Sequence, residues 1–358
     1  MRNSKRTNTA TWHDKHKRWQ INVQKDGIRR SFYDSTPGRN GQRACNAKAD
    51  AWLDDNIADE NSKISTLFEA YLDDMKQIAS QTNINKTTSV GKCWILPCIG
   101  NIRISHLNEQ HLQNMIDKAY KKGLSKKSLM NIRGITNTFF KYCRKRNATS
   151  LYPENVVIPH GAHTVPKNIL QPPDLKKLFT SSKTKLYGKE IEDPYINAYR
   201  FQVLAGLRPG ELMALKWSEI NGRIVTLHNS KNFLGEITDG KNKNARRRFY
   251  LTDMAAAVLE EQKKIAPNGQ YVFGDMTLSR YEKYWRRYRE YNQIGNVTLY
   301  ELRHTFVSIS KSVPEGNLKA IIGHSKNMDT YGVYGHEVDG ELEKTAISIN
   351  SLFESILE

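Results

Sequence analysis

The chain has 358 residues, more than one ordinary hydrophobic core accommodates, so we expect two or three domains. Its 55 lysines and arginines outnumber its 37 aspartates and glutamates, which gives a formal net charge of +18 and a pI near 9.6. A charge excess of this size argues against a typical cytosolic metabolic enzyme and favours a polyanionic partner, nucleic acid before an anionic membrane surface.

Membrane insertion and redox chemistry are not indicated by the sequence. No apolar run is long enough to span a bilayer, and the N-terminal stretch lacks the apolar core of a secretory signal. The four cysteines, Cys45, Cys93, Cys98 and Cys143, match no zinc-binding spacing, and a chain of this length does not need disulfides for stability. We therefore expect a cytoplasmic protein with reduced structural thiols and with no metal or cofactor.

The first segment, residues 1–58, is the most basic part of the chain. Its first 50 residues hold 12 lysines and arginines against 4 aspartates, an excess of 8 positive charges. The run RWQINVQKDGIRRSFYDS alternates apolar and polar residues on both sides of Asp26-Gly27, which predicts a β-hairpin. A helix is predicted over residues 42–57, so the segment is expected to be a small three-stranded sheet covered by one helix.

A basic sheet of this kind can lie in the major groove of DNA. The alternative is a solvated basic sheet that makes no specific contact. The candidate DNA-binding side chains on or beside the predicted strands are Lys15, Lys17, Arg18, Lys25, Arg29 and Arg30.

The second segment, residues 62–147, is predicted to be helical because its apolar residues recur at helical spacing. Gly123 breaks the pattern, and Ser125 then provides an N-cap for a last helix that is basic at both ends. Residues 148–172 hold four prolines, with Pro173 directly after them, and show no helical periodicity, so this stretch is predicted to be an interdomain linker.

The third segment, residues 173–358, is predicted to be mainly helical, with a strand at GRIVTLHNS that belongs to a small antiparallel sheet. Four short stretches in it carry residues suited to phosphate chemistry. They are AGLRPGELMALKW with Arg208, DGKNKNARRRFYL with Lys241, YELRHTF with Tyr300 and Arg303, and IIGHSKNMDTYGVYGH with His324 and Tyr334.

The four stretches, in this order, resemble the catalytic pattern of the tyrosine recombinase (phage integrase) family. The first segment is also similar to the arm-binding domains of conjugative-transposon integrases from Gram-positive bacteria, through GIRRSFYDSTPGRNGQRACNAKADAWLDD. The helical second segment resembles the family's core-binding domain. The resemblance implies a multidomain α+β protein: an arm-binding domain at 1–58, a core-binding domain at 62–147, a linker at 148–172 and a catalytic domain at 173–358.

The chemistry of DNA cleavage explains why these residue types are needed. Attack on a phosphodiester builds negative charge on phosphorus, and the planar guanidinium groups of Arg208 and Arg303 can meet that charge with paired hydrogen bonds. Lys241 would protonate the departing 5′ oxygen, and His324 would hydrogen-bond the phosphate or the nucleophile. Tyr334 would form a 3′-phosphotyrosine, which conserves the bond energy for rejoining without ATP.

Two tyrosines compete for the role of nucleophile. In the family, the nucleophile lies nine or ten residues after the histidine of the Gly-His pair and precedes x-His. Tyr334 is ten residues after His324 and is followed by Gly335-His336, whereas Tyr331 is seven residues after and has no such histidine. The resemblance therefore favours Tyr334.

Several supporting assignments are less direct. Glu211 is expected to orient Arg208 or His324, His304 to act as a structural hydrogen-bonding residue, and His336 either to support the site or to cap a helix. Lys241 is favoured over Lys243 as the general acid by its distance from a later arginine, Arg247, that matches the family pattern.

Tyr300 is a departure from the family pattern. The family usually has histidine three residues before the second arginine, and this chain has Tyr300 there. A phenol with a pKa near 10 is a poor proton acceptor at neutral pH, although its hydroxyl can still hydrogen-bond the phosphate. We expect an active-site hydrogen-bonding role for Tyr300, with the identity of the general base open.

The last residues, ELEKTAISINSLFESILE, form an amphipathic tail. It can pack on its own domain or, as in the family, dock on a neighbouring protomer in a ring of four, and the second is expected here. The sequence thus predicts a site-specific DNA recombinase that integrates and excises a mobile element through a Holliday junction.

Its partners would be core-type and arm-type double-stranded DNA and further copies of itself, with an accessory directionality factor or a host DNA-bending protein left open. One alternative is a DNA-binding or architectural protein of the same fold with weak or no cleavage. The other is a type IB topoisomerase.

Overall fold

The computed structural model describes residues 6–25, 28–54, 61–238, 246–266, 268–323 and 340–358, without the side chains of Ile28 and Asp54. The chain divides into two compact units, Met1–Val165 and Pro166–Glu358. The first unit holds two separate hydrophobic clusters and the second holds one large cluster.

The first unit begins with a sheet and one helix and continues as a helical bundle. Its strands and helices are β1 (Thr11–His13), β2 (Arg18–Lys25), β3 (Ile28–Asp34), α1 (Gly38–Asp54), α2 (Ile64–Ile78), α3 (Gln81–Val90), a π-helical turn (Gly91–Ile95), α4 (Leu96–Ile99), α5 (Glu109–Lys121) and α6 (Lys126–Lys145).

The N-terminal sheet has the order β1-β2-β3 with antiparallel pairing throughout. Lys25 pairs with Ile28, so the strands of the predicted hairpin pair on either side of Asp26-Gly27, which themselves lie outside the described residues. Ile21 and Val23 of β2 are buried against α1 together with Cys45 and Ala49. The predicted three-stranded sheet covered by one helix is confirmed, although the helix begins at Gly38 rather than at residue 42.

The helical bundle is held by an aromatic core. Phe68 and Tyr71 of α2 pack against Phe139 of α6, with ring centroids 5.1 and 5.6 Å from that of Phe139. Ser125 accepts a hydrogen bond from the backbone N–H of Ser128, so the predicted N-cap begins α6. The second segment is therefore helical, as predicted.

The predicted linker at 148–172 is not a free linker. Ala148, Val156 and Ala162 are buried in the core of the helical bundle. Leu170 is buried in the core of the second unit, where its backbone N–H donates to the hydroxyl of Thr305. A few residues of this stretch are thus anchored in a core although it has no helical periodicity, and the division between the units falls within it, at Val165/Pro166.

The second unit is mainly helical with short antiparallel strands. Its elements are α7 (Pro172–Thr180), β4 (Lys183–Leu186), β5 (Lys189–Glu192), α8 (Ile196–Ala205), α9 (Pro209–Ala214), β6 (Ile220–Asn221), β7 (Ile224–Leu227), β8 (Ser230–Lys231), β9 (Ile237–Thr238), β10 (Arg247–Tyr250), α10 (Asp253–Ile265), α11 (Leu278–Tyr291), α12 (Leu299–Ile309), α13 (Glu315–Ile322) and α14 (Glu341–Leu357).

Helix α8 is the centre of this unit because it is apolar and buried on nearly every side. Its Tyr199 packs against Tyr281 and Trp285 of α11, with ring centroids 5.4 and 4.9 Å apart. The predicted small antiparallel sheet is present with the order β10-β7-β6. The mixed helical and sheet architecture is confirmed, and none of the described helices is long and apolar enough to cross a membrane.

The apolar face of the C-terminal tail is covered by its own domain. Ile349 and Phe353 of α14 are buried in the core of the second unit, and the ring of Phe353 stacks on that of Phe306 at 6.3 Å. Asn350 accepts a hydrogen bond from the backbone N–H of Met254 at 3.0 Å. In this single chain the apolar face of α14 is therefore covered by its own domain, except at Ile347, which is 59% exposed. Docking of the tail on a neighbouring protomer stays a prediction.

Because α14 completes a core, changing its buried face should affect stability. Phe353→Ala should lower the free energy of unfolding by about 3–5 kcal/mol, the usual cost of removing a buried phenylalanine ring. Ile347→Ala, on the exposed side of the same helix, should change it by less than about 0.5 kcal/mol. Denaturant unfolding of both variants measures the difference, and equal effects would show that α14 does not pack as described.

All four cysteines are free. Cys45 and Cys143 are buried, and burial raises the pKa of the Cys143 thiol to about 12, so it stays protonated. Cys93 is exposed, so the expectation of a structural thiol does not hold at that position.

A buried carboxyl group in the second unit predicts an unusual pH dependence. Asp193 is 2% exposed and accepts a hydrogen bond from the backbone N–H of Tyr195 at 2.8 Å. Burial raises its pKa from 3.8 to about 6. The contribution of protonated Asp193 to the free energy of unfolding is therefore fully present below about pH 4, and it is lost as the pH rises through about 6.

Asp193→Asn keeps the hydrogen-bond acceptor and removes the charge. It should stabilise the protein at pH 7.5 by up to about 3 kcal/mol, the equivalent of a shift of roughly two pH units, and have little effect at pH 4. Unfolding free energies of both proteins between pH 4 and 8 test this. A constant difference across that range would rule out a titrating Asp193.

Candidate active site

The site begins where α8 ends at Gly206. Gly206 has φ +62°, and a Cβ there would lie 2.4 Å from a ring carbon of Phe306, so the tight turn requires glycine. The turn leads to Arg208, which is the N-cap of α9, and Pro209 occupies the first helical position, where no backbone N–H is needed. The sequence AGLRPGE thus fixes the backbone position of Arg208 at a tight turn between two buried helices.

Three arginines surround the buried carboxylate of Glu211. Arg208 donates to Oε1 at 2.5 Å, and Arg247 donates to Oε1 at 3.0 Å and to Oε2 at 2.9 Å. A guanidinium nitrogen of Arg303 lies 4.0 Å from Oε2. Burial would raise the pKa of Glu211, but its arginine partners outweigh burial and lower it. Glu211 is therefore ionised and fixes the arginines in one place, close to the orienting role predicted for it.

The same arginines also bind the end of α13. Arg247 donates to the carbonyl of Ile321, Arg303 to that of Ile322, and Arg208 to that of Gly323 at 3.3 Å. The last carbonyls of a helix have no intrahelical partners and carry partial negative charge. Three successive carbonyls are thus satisfied by three arginines that come from three other elements.

The cluster has more positive than negative charge. Three guanidinium groups share one carboxylate, and the side chains of Arg303 and Arg247 are only 3% and 6% exposed. Burial, and next the proximity of Arg208, lowers the pKa of Arg303 to about 10, which leaves it charged at neutral pH. Arg208 is 27% exposed and is the member of the cluster that solvent or a ligand reaches most easily.

Tyr300 lies at the exposed edge of this cluster. Burial alone would lower the pKa of Arg208, but Glu211 and then Tyr300 raise it. Tyr300 also raises the pKa of Arg303, as the smallest of the influences on that group. The tyrosine is 45% exposed. Tyr300 therefore lies near enough to both predicted phosphate-binding arginines to influence their pKa values, and nearly half of its surface is exposed.

His304 lies beside Tyr300 on α12. Its ring meets the edge of the Tyr300 ring at a centroid distance of 5.4 Å, and no hydrogen bond to its side chain occurs within the part of the chain that is described. Burial lowers its pKa, so the ring is neutral at physiological pH. His304 supports Tyr300 by packing.

Five sequence-predicted residues lie outside the described residues: Lys241, His324, Tyr331, Tyr334 and His336. Lys243, the alternative to Lys241, lies there too. The chain enters the first of these segments after Thr238 and leaves it before Arg246, and it enters the second directly after Gly323.

The sequence motifs do not indicate Arg247 as a site residue, although its spacing favours Lys241 over Lys243. The available signal was the alternation along β10, since Arg247 and Phe249 share the inward face of the strand and are both largely buried. An arginine in an inward-facing strand position requires a buried anionic partner, which here is Glu211.

The basic residues of the N-terminal sheet fall into different settings. Lys15, Lys17, Arg29 and Arg30 are exposed, and the guanidinium of Arg18 lies 4.0 Å above the ring of Tyr33. Lys25 differs, because its ammonium group donates to the carbonyl of Leu53 at 2.6 Å, near the end of α1.

Within the described ranges, no group of three histidine, cysteine or acidic side chains is arranged to hold a metal ion.

Models of two protein families match the chain, one within each compact unit. The model of the Phage integrase family matches residues 168–341, and that of the phage integrase N-terminal SAM-like domain matches residues 63–120. The tyrosine recombinase XerC-like protein of Caldanaerobacter subterraneus subsp. tengcongensis is 20% identical over 293 residues, covering 70% of this chain and 73% of the relative. The ICEBs1 integrase of Bacillus subtilis strain 168 is 26% identical over 176 residues, covering 43% and 48%.

Solved structures share the fold. The Tn1549 transposon integrase in complex with transposon right end DNA superposes with a TM-score of 0.62 at 15% identity, over 79% of this chain and 98% of that one. A lambda integrase dimer bound to a core site gives 0.60 at 13% identity, over 92% and 97%. With the two family models covering nearly two thirds of the sequence, the chain belongs to the phage integrase, or tyrosine recombinase, family.

Proposed function

We propose that this chain is a site-specific DNA recombinase that cuts and rejoins DNA strands through a 3′-phosphotyrosine on Tyr334 and exchanges them by way of a Holliday junction. Its resemblance to integrases of conjugative elements makes the integration and excision of a mobile element in the cytoplasm the reaction we assign to it. The observation that carries the proposal is the arginine cluster around Glu211.

The cluster suits a phosphodiester because of its charge. Three guanidinium groups and one carboxylate leave an excess of two positive charges in a largely buried site. A phosphodiester brings one negative charge, and a second develops as the nucleophile attacks. Fixed donors that meet charge as it develops are typically worth about 3–4 kcal/mol each in the transition state.

The remaining roles follow from position in the chain and from the family pattern. Arg208 and Arg303 would clamp the non-bridging oxygens, and Tyr300 would hydrogen-bond one of them. Lys241, six residues before the anchored Arg247, would protonate the leaving 5′ oxygen. His324 follows Gly323, whose carbonyl Arg208 binds, so the backbone at that point adjoins the cluster.

We assign arm-type DNA to the N-terminal sheet and core-type DNA to the helical bundle and the second unit. The lambda integrase neighbour was solved as a tetramer bound to a Holliday junction, and we extend assembly on DNA to this chain. The apolar face of α14 is covered by its own domain, so assembly needs other surfaces or a rearranged α14.

A nicked suicide substrate carrying the cognate core site tests the proposal. Loss of the short fragment beyond the nick traps the intermediate, so a protein–DNA adduct with a free 5′-hydroxyl should accumulate, with or without a chelator. Tight binding to the site without any adduct would favour the architectural protein. Relaxation of plasmids that lack the site would favour a topoisomerase.

A further inference from the structure

The N-terminal sheet has one face covered by α1 and one face open. In antiparallel strands, residues paired directly share a face. The pairs Ile21–Phe32 and Val23–Arg30 lie on the covered face with the buried Ile21 and Val23. The open face, as defined by the pairing, consists of Thr11, His13, Arg18, Gln20, Asn22, Gln24, Arg29, Ser31 and Tyr33.

The side chains of the open face suit DNA, which has an anionic backbone and base edges that form hydrogen bonds. It carries two arginines and no carboxylate. The middle strand places amide side chains at Gln20, Asn22 and Gln24, and a groove of about 530 Å³ beside it is lined by all three and by Arg29. Asparagine and glutamine do not favour strands or bury apolar area, so local folding does not explain this row of amides.

The amides differ in how far they are already engaged. The Asn22 side-chain oxygen accepts from the hydroxyl of Ser31 at 2.5 Å and from the amide of Gln20 at 3.4 Å. Asn22 is thus held within the sheet. Gln24 and Arg29 have no side-chain hydrogen-bond partner among the residues for which the structure gives positions, and both are exposed.

Gln24 and Arg29 are a directly opposed pair. The Cβ atoms of such a pair are about 4.5–5.5 Å apart, which brings both side chains within reach of neighbouring base pairs stacked roughly 3.4 Å apart. Glutamine can bind the N6 and N7 of adenine, and arginine the O6 and N7 of guanine, with two hydrogen bonds each in the major groove.

We propose that Gln24 and Arg29 are the base-reading pair of the N-terminal domain, choosing an adenine and a guanine at adjacent positions of the arm-type site. The hydrogen bond between Ser31 and Asn22 fixes the neighbouring pair of the open face. Arg18, stacked on Tyr33, contacts a phosphate. The proposal rests on the assignment of arm-type DNA to this sheet. It distinguishes the two residues that recognise the DNA sequence from the other basic residues of 1–50, which attract DNA of any sequence.

The test is selection of bound sequences from random duplexes by the full chain carrying Tyr334→Phe, so that cleavage plays no part. Gln24→Ala should remove the preference for adenine at one position, and Arg29→Ala the preference for guanine beside it, each by roughly tenfold in base discrimination. Arg43→Ala is the matched control, since it removes one positive charge from an exposed position on α1. Arg43→Ala should leave the selected motif unchanged.

The outcomes are distinct from those of the cleavage assay. A motif in which no position depends on Gln24 or Arg29, or variants that weaken binding equally at every sequence, would overturn the assignment even if the protein cleaves core DNA. Losses confined to two adjacent positions would support it even if no covalent adduct is found.

Discussion

Tyr334→Phe is expected to abolish the covalent protein–DNA adduct completely while leaving DNA binding intact. Phenylalanine lacks the hydroxyl that attacks phosphorus, and no other group on the ring can replace it. The arginine cluster of Arg208, Arg303 and Glu211 does not depend on that hydroxyl, so the phosphate site should remain formed. The measurement is adduct formation on a nicked suicide substrate, with binding measured in parallel on the same duplex.

Tyr331→Phe is the matched control for this experiment. It removes the same hydroxyl three residues away and should keep the adduct at the wild-type level. Loss of the adduct in Tyr331→Phe alone would contradict the choice of nucleophile and preserve the reaction. Retention of the adduct in both variants would contradict a tyrosine nucleophile in this segment.

Glu211→Gln should have the largest effect on stability of any single change at the site. The substitution keeps the shape of the side chain and removes the one negative charge that Arg208, Arg247 and Arg303 share. Leaving buried charges without a counter-charge typically costs about 3–5 kcal/mol. We expect the free energy of unfolding to fall by this amount and the adduct to be lost with it.

The control for Glu211→Gln is Glu261→Gln, at an ion pair with Lys264 in which both side chains are more than half exposed. Exposed pairs contribute at most about 1 kcal/mol, so this variant should be close to wild type. Added sulfate should reduce the difference in unfolding free energy between Glu211→Gln and wild type, since an anion can replace the missing charge. A small difference in the absence of sulfate would show that Glu211 does not organise the cluster.

The sequence also indicated the exposed edge of the site, but not its geometry. Tyr300 is expected to act as an active-site hydrogen-bonding residue, and it lies near enough to Arg208 to raise the pKa of that guanidinium. The packing of the His304 ring on the Tyr300 ring is not indicated by the sequence. Ring packing depends on the direction of two side chains on one helix face, which residue type alone does not specify.

The sequence by itself determined the features that depend on local pattern or on residue chemistry. Alternation around Asp26-Gly27 predicted the pairing of β2 with β3, and the charge excess predicted a polyanionic partner. Arg208, Glu211 and Arg303 were recognised from short motifs in the right order. Their side chains do meet in the structure.

The tertiary structure alone decided the contacts between distant parts of the chain. Arg247 joins Glu211, 36 residues away, to the end of α13, 74 residues away, and Arg208 reaches Gly323 across 115 residues. It also buried the apolar face of α14 within its own domain, and it anchored the predicted linker at a few buried residues, Ala148, Val156 and Ala162 in one core and Leu170 in another. No periodicity encodes such pairings, because they are set by which buried charges and apolar faces must be satisfied once the whole domain has folded.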